Sequence, residues 1–163
     1  MTDVVTKDTL NLDEKVSVKN LCNWDVYFSR INSVGDVKIA AKGQVRLSRE
    51  EIQSQVYNGN KLFVGKDNNG SHARLFVEDQ PTRILLGFEN ETEKQKILTK
   101  EFLTEIFKIK AKKEFENTIQ SNVQTQAEKF AVIQFAKETK FNDLAKVKFL
   151  EDYTGYTMED EIK

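Results

Sequence analysis

The chain has 163 residues, 39% of them hydrophobic and 11 of them phenylalanine, which is enough apolar material for a packed core and excludes wholesale disorder. Its 25 basic and 26 acidic residues also balance half by half, with 12 of each in residues 1–90 and 13 basic against 14 acidic beyond; a nucleic-acid partner, which draws its affinity from phosphate neutralisation, is not expected. One cysteine, Cys22, and one histidine, His72, exclude an internal disulfide framework and a zinc cluster within one chain.

The first residues, MTDVVTKDTL, lack the basic start and apolar stretch of a secretory signal, and no apolar run approaches membrane-spanning length. A reducing aqueous compartment and no membrane partner are expected. Residues 1–11 read as a flexible arm.

From residue 12 to 90 the pattern is β-rich, with six of the seven glycines and the only proline. KVSVKNLC alternates, with Val16, Val18 and Asn20 on one side. DVYFSRI and DVKIAAKGQVRL continue as strands, joined through the turn sequence NSVGD. Ser48 and Glu51 have the spacing of a capping box, which predicts a short helix through REEIQSQVYN. Gly59 would stop it, and Ile52 and Val56 would dock it on the sheet. KLFVG and ARLFVED read as the next two strands, and PTRILLGF as a helical turn opened by Pro81 and ended by Gly87.

Residues 91–152 have helical periodicity. Thr92 and Gln95 suggest a second capping box, Thr125 and Glu128 a third. Leu103, Phe107, Ala111, Phe115, Ile119 and Val123 form one i+4 ridge, with Phe102 and Ile106 beside it: one long helix, or two meeting near Ser121. FAVIQFA, Phe130 to Ala136, is apolar nearly all round and must be covered by its own chain or by another copy. A last helix carries Leu144, Val147 and Leu150. Residues 153–163 form an acidic tail expected to be mobile. The fold class is α+β: a β-rich module with a docked helix, then a bundle of two to four helices.

The loop in FVGKDNNGSHARLFVED contains the most site-like letters. Gly65, Gly70, Ser71 and His72 approach a P-loop, yet lack the Lys-Ser/Thr pair that reaches phosphates and magnesium. Asp67, Asn69, Ser71 and Glu78 sit at positions 1, 3, 5 and 12 of a calcium loop, but His72 stands where that loop needs glycine. A Cys22–His72 nucleophile pair has no orienting group in the pattern. Asn-Asn-Gly-Ser is a good turn sequence, so the segment reads as a β-hairpin whose second strand begins at His72. No catalytic residue, cofactor site or metal site is assigned.

Lys108, Lys110, Lys112 and Lys113, followed by Glu114 and Glu116, read as a solvated helix face. Trp24, Tyr27 and Phe28 beside Arg30 offer an alternative: a nucleic-acid-binding or regulatory module that stacks bases on a sheet face.

The stretches VSVKNLCNWDVYFSRINSVGDVKI and LSREEIQSQVYNGNKLFVGKDNNGSHARLFVED, within residues 12–90, resemble small uncharacterised structural-cassette proteins of tailed bacteriophages and prophages. The resemblance carries no catalytic motif. It implies a non-enzymatic virion component, capsid-, neck- or tail-associated, located in the virion or host cytoplasm. The expected partners are other copies of the chain or other virion proteins, with a homo-oligomer as the form. The surface expected to make these contacts comprises Phe130, Val132, Ile133, Phe135, Ala136, Tyr153 and Tyr156.

Overall fold

The structure, a computed structural model, describes residues 10–159 and has the α+β architecture. The chain divides into two compact units, one ending at Ile97 and the other starting at Leu98. Residues 91–97 therefore belong to the N-terminal unit rather than to the helical one. They are tied there by the Gln95 amide on the Gly70 carbonyl (2.9 Å) and by the His72 N–H on the Lys96 carbonyl (2.9 Å).

In the N-terminal unit, strand β1 (Lys15–Asn20) is the centre of an antiparallel sheet between β4 (Gln44–Ser48) and β5 (Leu75–Val77). Val16 faces Leu47, and Val18 faces both Val45 and Val77, so the alternation read from the sequence becomes one buried face. Asn20 lies on that face as anticipated, fully buried. Its side-chain nitrogen donates to the carbonyls of Trp24 (2.8 Å), Ile39 (3.1 Å) and Ala40 (3.1 Å), and its oxygen accepts the Cys22 N–H. These bonds remove the cost of burying the amide and fasten the next element to the sheet.

That element is a separate two-stranded hairpin, β2 (Val26–Ser29) and β3 (Asp36–Ile39), turned through NSVGD. Helix α1 (Arg49–Tyr57) follows β4 directly. Ser48 caps it by accepting the Glu51 N–H, and Gly59 takes the left-handed conformation after its end. Ile52 is fully buried and Val56 half-buried, as the docking spacing predicted.

KLFVG is not a strand. Lys61–Val64 form a helical turn, α2, capped by the Asn60 side chain on the Leu62 N–H. Phe63 and Val64 are both buried, and neighbouring residues of a strand would point to opposite faces. The hairpin expected around His72 is therefore absent: the segment runs from α2 through a tight loop into β5, and His72 precedes the strand with φ +60°. Helix α3 (Gln80–Leu85) starts one residue before Pro81, with Asp79 as its cap.

The expected capping box at Thr92 and Gln95 opens no helix. The Asn90 side chain accepts the N–H groups of Thr92 and Glu93 instead, closing a turn. The helical unit begins with α4 (Lys100–Phe107), capped by Thr99, and continues with α5 (Lys112–Asn122), α6 (Gln126–Glu138) and α7 (Leu144–Thr154). Besides the junction expected near Ser121, where α5 ends at Asn122, the ridge also breaks at residues 108–111. There the Lys146 ammonium takes the Ile109 carbonyl at 2.6 Å, and the break lets both halves of the ridge face one core. Leu103, Ile106, Phe115, Ile119, Val123, Val132, Ile133, Ala136 and Leu150 are buried together in it. A single long helix would leave much of this ridge in water, so packing overrides the unbroken local pattern. At Thr125 the capping box is complete, with Glu128 bonding back to the cap N–H.

The described part of the tail packs against the helical unit, with Tyr153, Tyr156 and Met158 against its core. Tyr153 and Thr154 are the last residues of α7, and the Met158 N–H is held by Glu151 at 2.8 Å. At the other end, Asn11 accepts from Arg49 through its carbonyl, so the arm's last residues are also tied down. The rest of the arm and residues 160–163 lie outside the described residues. No helix among the described residues is long and apolar enough to cross a membrane.

Candidate interaction surface

Of the seven residues expected to form a contact surface, Val132, Ile133 and Ala136 are buried by their own chain, and Phe130, Phe135, Tyr153 and Tyr156 are half-buried. Val132, Ile133 and Ala136 have almost no exposed surface inside the helical unit. Phe135 packs edge-to-face on Phe107 with centroids 5.0 Å apart, and Phe130 packs likewise on Tyr156 at 5.5 Å. Tyr153 stacks on Phe149, lies under the Lys129 ammonium and donates its hydroxyl to the Val123 carbonyl at 2.7 Å. The three buried side chains have little left to offer a neighbour. The all-round apolar character of FAVIQFA is answered by α4, α7 and the segment after α7.

Among the described residues, four of the six exposed large hydrophobic side chains lie on or beside the β2–β3 hairpin; the other two are Tyr57 at the end of α1 and Leu144 at the start of α7. Val34 at its tip is 97% exposed and Tyr27 61%, and Trp24 and Ile31 are more than a third exposed. Strand alternation explains the division. Val26, Phe28, Val37 and Ile39 turn inward, Phe28 meeting Phe63 edge-to-face at 5.5 Å, while Tyr27 turns outward across from Lys38. Of the three aromatics considered for base stacking, only Trp24 and Tyr27 face outward. The charges beside them alternate in sign: Lys38 pairs with Asp25 at 3.7 Å, and Asp36 accepts from Ser29.

The hairpin is held firmly from behind. Glu51 of α1 accepts the backbone N–H of Ile31 (2.9 Å) and of Asn32 (3.0 Å), and the Gln55 amide donates to the Ser29 carbonyl (2.8 Å). Burial alone would push the Glu51 carboxyl up. The two N–H groups, the Gln55 amide and the Arg30 charge outweigh it and hold the group below the usual glutamate range. The sequence spacing places Glu51 in a capping box with Ser48. Its carboxylate serves the hairpin instead, a role no local spacing signals.

The 65–72 loop is a packing device. The Asp67 carboxylate accepts the N–H groups of Asn69 and Ser71 and the Ser71 hydroxyl. These bonds tie up the first oxygen ligand of the calcium pattern. Gly65 and Gly70 both have positive φ, +70° and +89°. A Cβ on Gly65 would run into the Ser71 carbonyl, and one on Gly70 would stand 2.6 Å from the Gln95 amide nitrogen and 2.8 Å from the Phe88 ring. Cys22 is fully buried, and burial pushes its thiol up despite Arg74 and Lys42, which leaves less thiolate at neutral pH. Among the described residues no three His, Cys, Asp or Glu side chains gather as a metal ion would require.

A second cluster, also not foreseen, centres on Arg49. Its guanidinium bonds Thr82 (2.9 Å), Glu14 (2.8 Å), Asp79 (3.1 Å) and the Asn11 carbonyl (3.1 Å), joining α1, α3 and the segment before β1. Every donor group is directed into the fold, so the cluster is structural. No family model, no curated protein and no solved structure matches this chain.

Proposed function

We propose that the chain is a non-enzymatic structural and assembly protein, a virion component of a tailed bacteriophage that acts through protein–protein contacts of its β2–β3 hairpin. One observation carries the contact surface: Val34 stands 97% exposed at the tip of a hairpin whose base is pinned to α1 by Glu51 and Gln55. A rigidly presented apolar tip with an outward tyrosine and tryptophan has the composition of an interface centre and loses little freedom on binding. The virion setting comes from the resemblance of residues 12–90 to phage structural-cassette proteins, which is support by association.

The test is incorporation. Particles purified from the phage or prophage that encodes the chain are expected to contain it. The Val34→Asp/Tyr27→Ser variant is expected to remain folded by circular dichroism and to be lost from particles. A chain absent from particles, or a folded variant that incorporates normally, overturns the reading.

A nucleic-acid module is the second reading, favoured by the outward Trp24 and Tyr27. It requires a gel shift with single-stranded DNA or RNA that weakens steeply with salt. The Asp25–Lys38 pairing beside the two aromatics works against it.

A further inference from the structure

We propose that the open edge of β3 pairs antiparallel with β3 of a second copy of this chain, about a twofold axis at Val37. This rests on the assembly reading above and names the partner of that hairpin.

The hydrogen-bond phase of the hairpin fixes which groups are open. The Arg30 N–H donates to the Gly35 carbonyl at 2.9 Å, which marks a hydrogen-bonded pair one step beyond Ser29–Asp36. By alternation Phe28–Val37 and Val26–Ile39 are also bonded pairs, whereas Ser29–Asp36 and Tyr27–Lys38 are not. Residues of the non-bonded pairs direct their N–H and C=O away from the hairpin. On β2 this edge is met by α1, through Gln55 on the Ser29 carbonyl. On β3 the outward groups belong to Asp36 and Lys38, and among the described residues no further strand lies beside them.

The side chains select one register. With Val37 opposite Val37 of the second copy, Asp36 stands opposite the second copy's Lys38, and Lys38 opposite its Asp36. All four charges lie on the exposed face. The same alignment brings outward groups to outward groups, allowing four N–H···O bonds. A slip by one residue sets outward groups against inward ones and loses those bonds. A slip by two places Asp36 opposite Asp36, or Lys38 opposite Lys38. The chosen register alone, among these neighbours, satisfies both backbone and charge. It also brings the exposed Val34, just past the strand end, toward Ala40 of the second copy. The present partners of these charges, Asp25 for Lys38 and Ser29 for Asp36, are surface contacts and leave both side chains exposed. A contact of this size is weak and concentration-dependent, the kind that repetition in an assembly reinforces.

Sedimentation equilibrium of the full chain tests it. The wild type is expected to pass from 18.8 kDa toward a dimer as concentration rises. Asp36→Lys sets lysine against lysine and Lys38→Asp sets aspartate against aspartate, so each is expected to weaken the dimer about tenfold or more. An equimolar mixture of the two single variants restores complementarity, and so does the double exchange Asp36→Lys/Lys38→Asp. Recovery in both is the expected result, with circular dichroism unchanged throughout. A wild type that stays monomeric at every concentration overturns the proposal, as does a mixture no tighter than either variant alone. An oligomer that Val34→Asp disrupts and neither charge reversal weakens overturns the strand pairing while leaving the hairpin reading intact.

Discussion

The carboxylate of Glu51 bridges the backbone N–H groups of Ile31 and Asn32, 2.9 and 3.0 Å away, and so suspends the end of the β2–β3 hairpin from helix α1. A two-stranded hairpin is marginal by itself in water, and this bridge is one of the contacts that makes it a defined surface. Glu51→Gln keeps the shape but replaces a charged acceptor with an amide that satisfies at most one of the two donors. A loss of about 1–3 kcal/mol is expected for the N-terminal unit. Urea unfolding followed by the fluorescence of Trp24, the chain's single tryptophan, measures it. An unchanged midpoint would show that the bridge contributes nothing.

Acid should loosen the same unit. For Glu51, Asp67, Asp79 and Glu89, burial alone would raise the carboxyl, yet hydrogen bonds hold each one below its usual range. The main donors are the Asn32 N–H for Glu51, the Ser71 hydroxyl for Asp67, the Thr82 hydroxyl for Asp79 and Arg83 for Glu89. The unfolded chain then takes up protons before the folded one does. This stability is fully present above the unfolded carboxylate values near pH 4 and is lost as pH falls through the lower folded values. Chemical denaturation of the Trp24 signal at a series of pH values is expected to give midpoints that fall below about pH 4 and stay level just above it.

Gly70→Ala and Gly65→Ala are each expected to damage the loop between α2 and β5. Both positions have positive φ, and the added Cβ meets Gln95 and Phe88 in one case and the Ser71 carbonyl in the other. The backbone strain alone costs about 1–3 kcal/mol. Gly35→Ala has φ strain without any neighbour within 4 Å and serves as the comparison. Thermal melts that rank all three equally would show that the close approaches do not matter.

Phe135→Asp separates packing from surface. Phe135 is half-buried against Phe107 within the helical unit, so a carboxylate there should destabilise that unit and lower its melting temperature, followed by ellipticity at 222 nm. Val34→Asp should leave ellipticity and melting temperature unchanged, because its side chain already faces water. If Phe135→Asp instead keeps the native melting temperature and changes only the mass in solution, the side chain belongs to an interface after all.

The capping signals show where local reasoning works and where it stops. Ser48, Thr99 and Thr125 cap helices because a hydroxyl before a helical run needs only its own backbone neighbours. Thr92 and Gln95 carry the same letters, yet Asn90 captures the turn and Gln95 is drawn away to Gly70. KLFV has strand composition, but Asn60 and the shared burial of Phe63 and Val64 make it a helical turn. The candidate surface was harder still. Trp24 and Tyr27 were visible as aromatics, but nothing in the letters says that Val34 projects while Phe135 packs against Phe107.

By itself the chain's order of residues determined the α+β division, the alternating face of β1 with Asn20 on it, the turn between β2 and β3, and the helices of the second half. These follow from side-chain period and capping, which act over a few neighbours. Only the tertiary structure decided where the long ridge breaks, which carboxylate holds the hairpin, and which apolar residues remain in water. Those outcomes depend on segments far apart in sequence meeting in space: Lys146 on Ile109, Glu51 on Ile31, Tyr156 on Phe130.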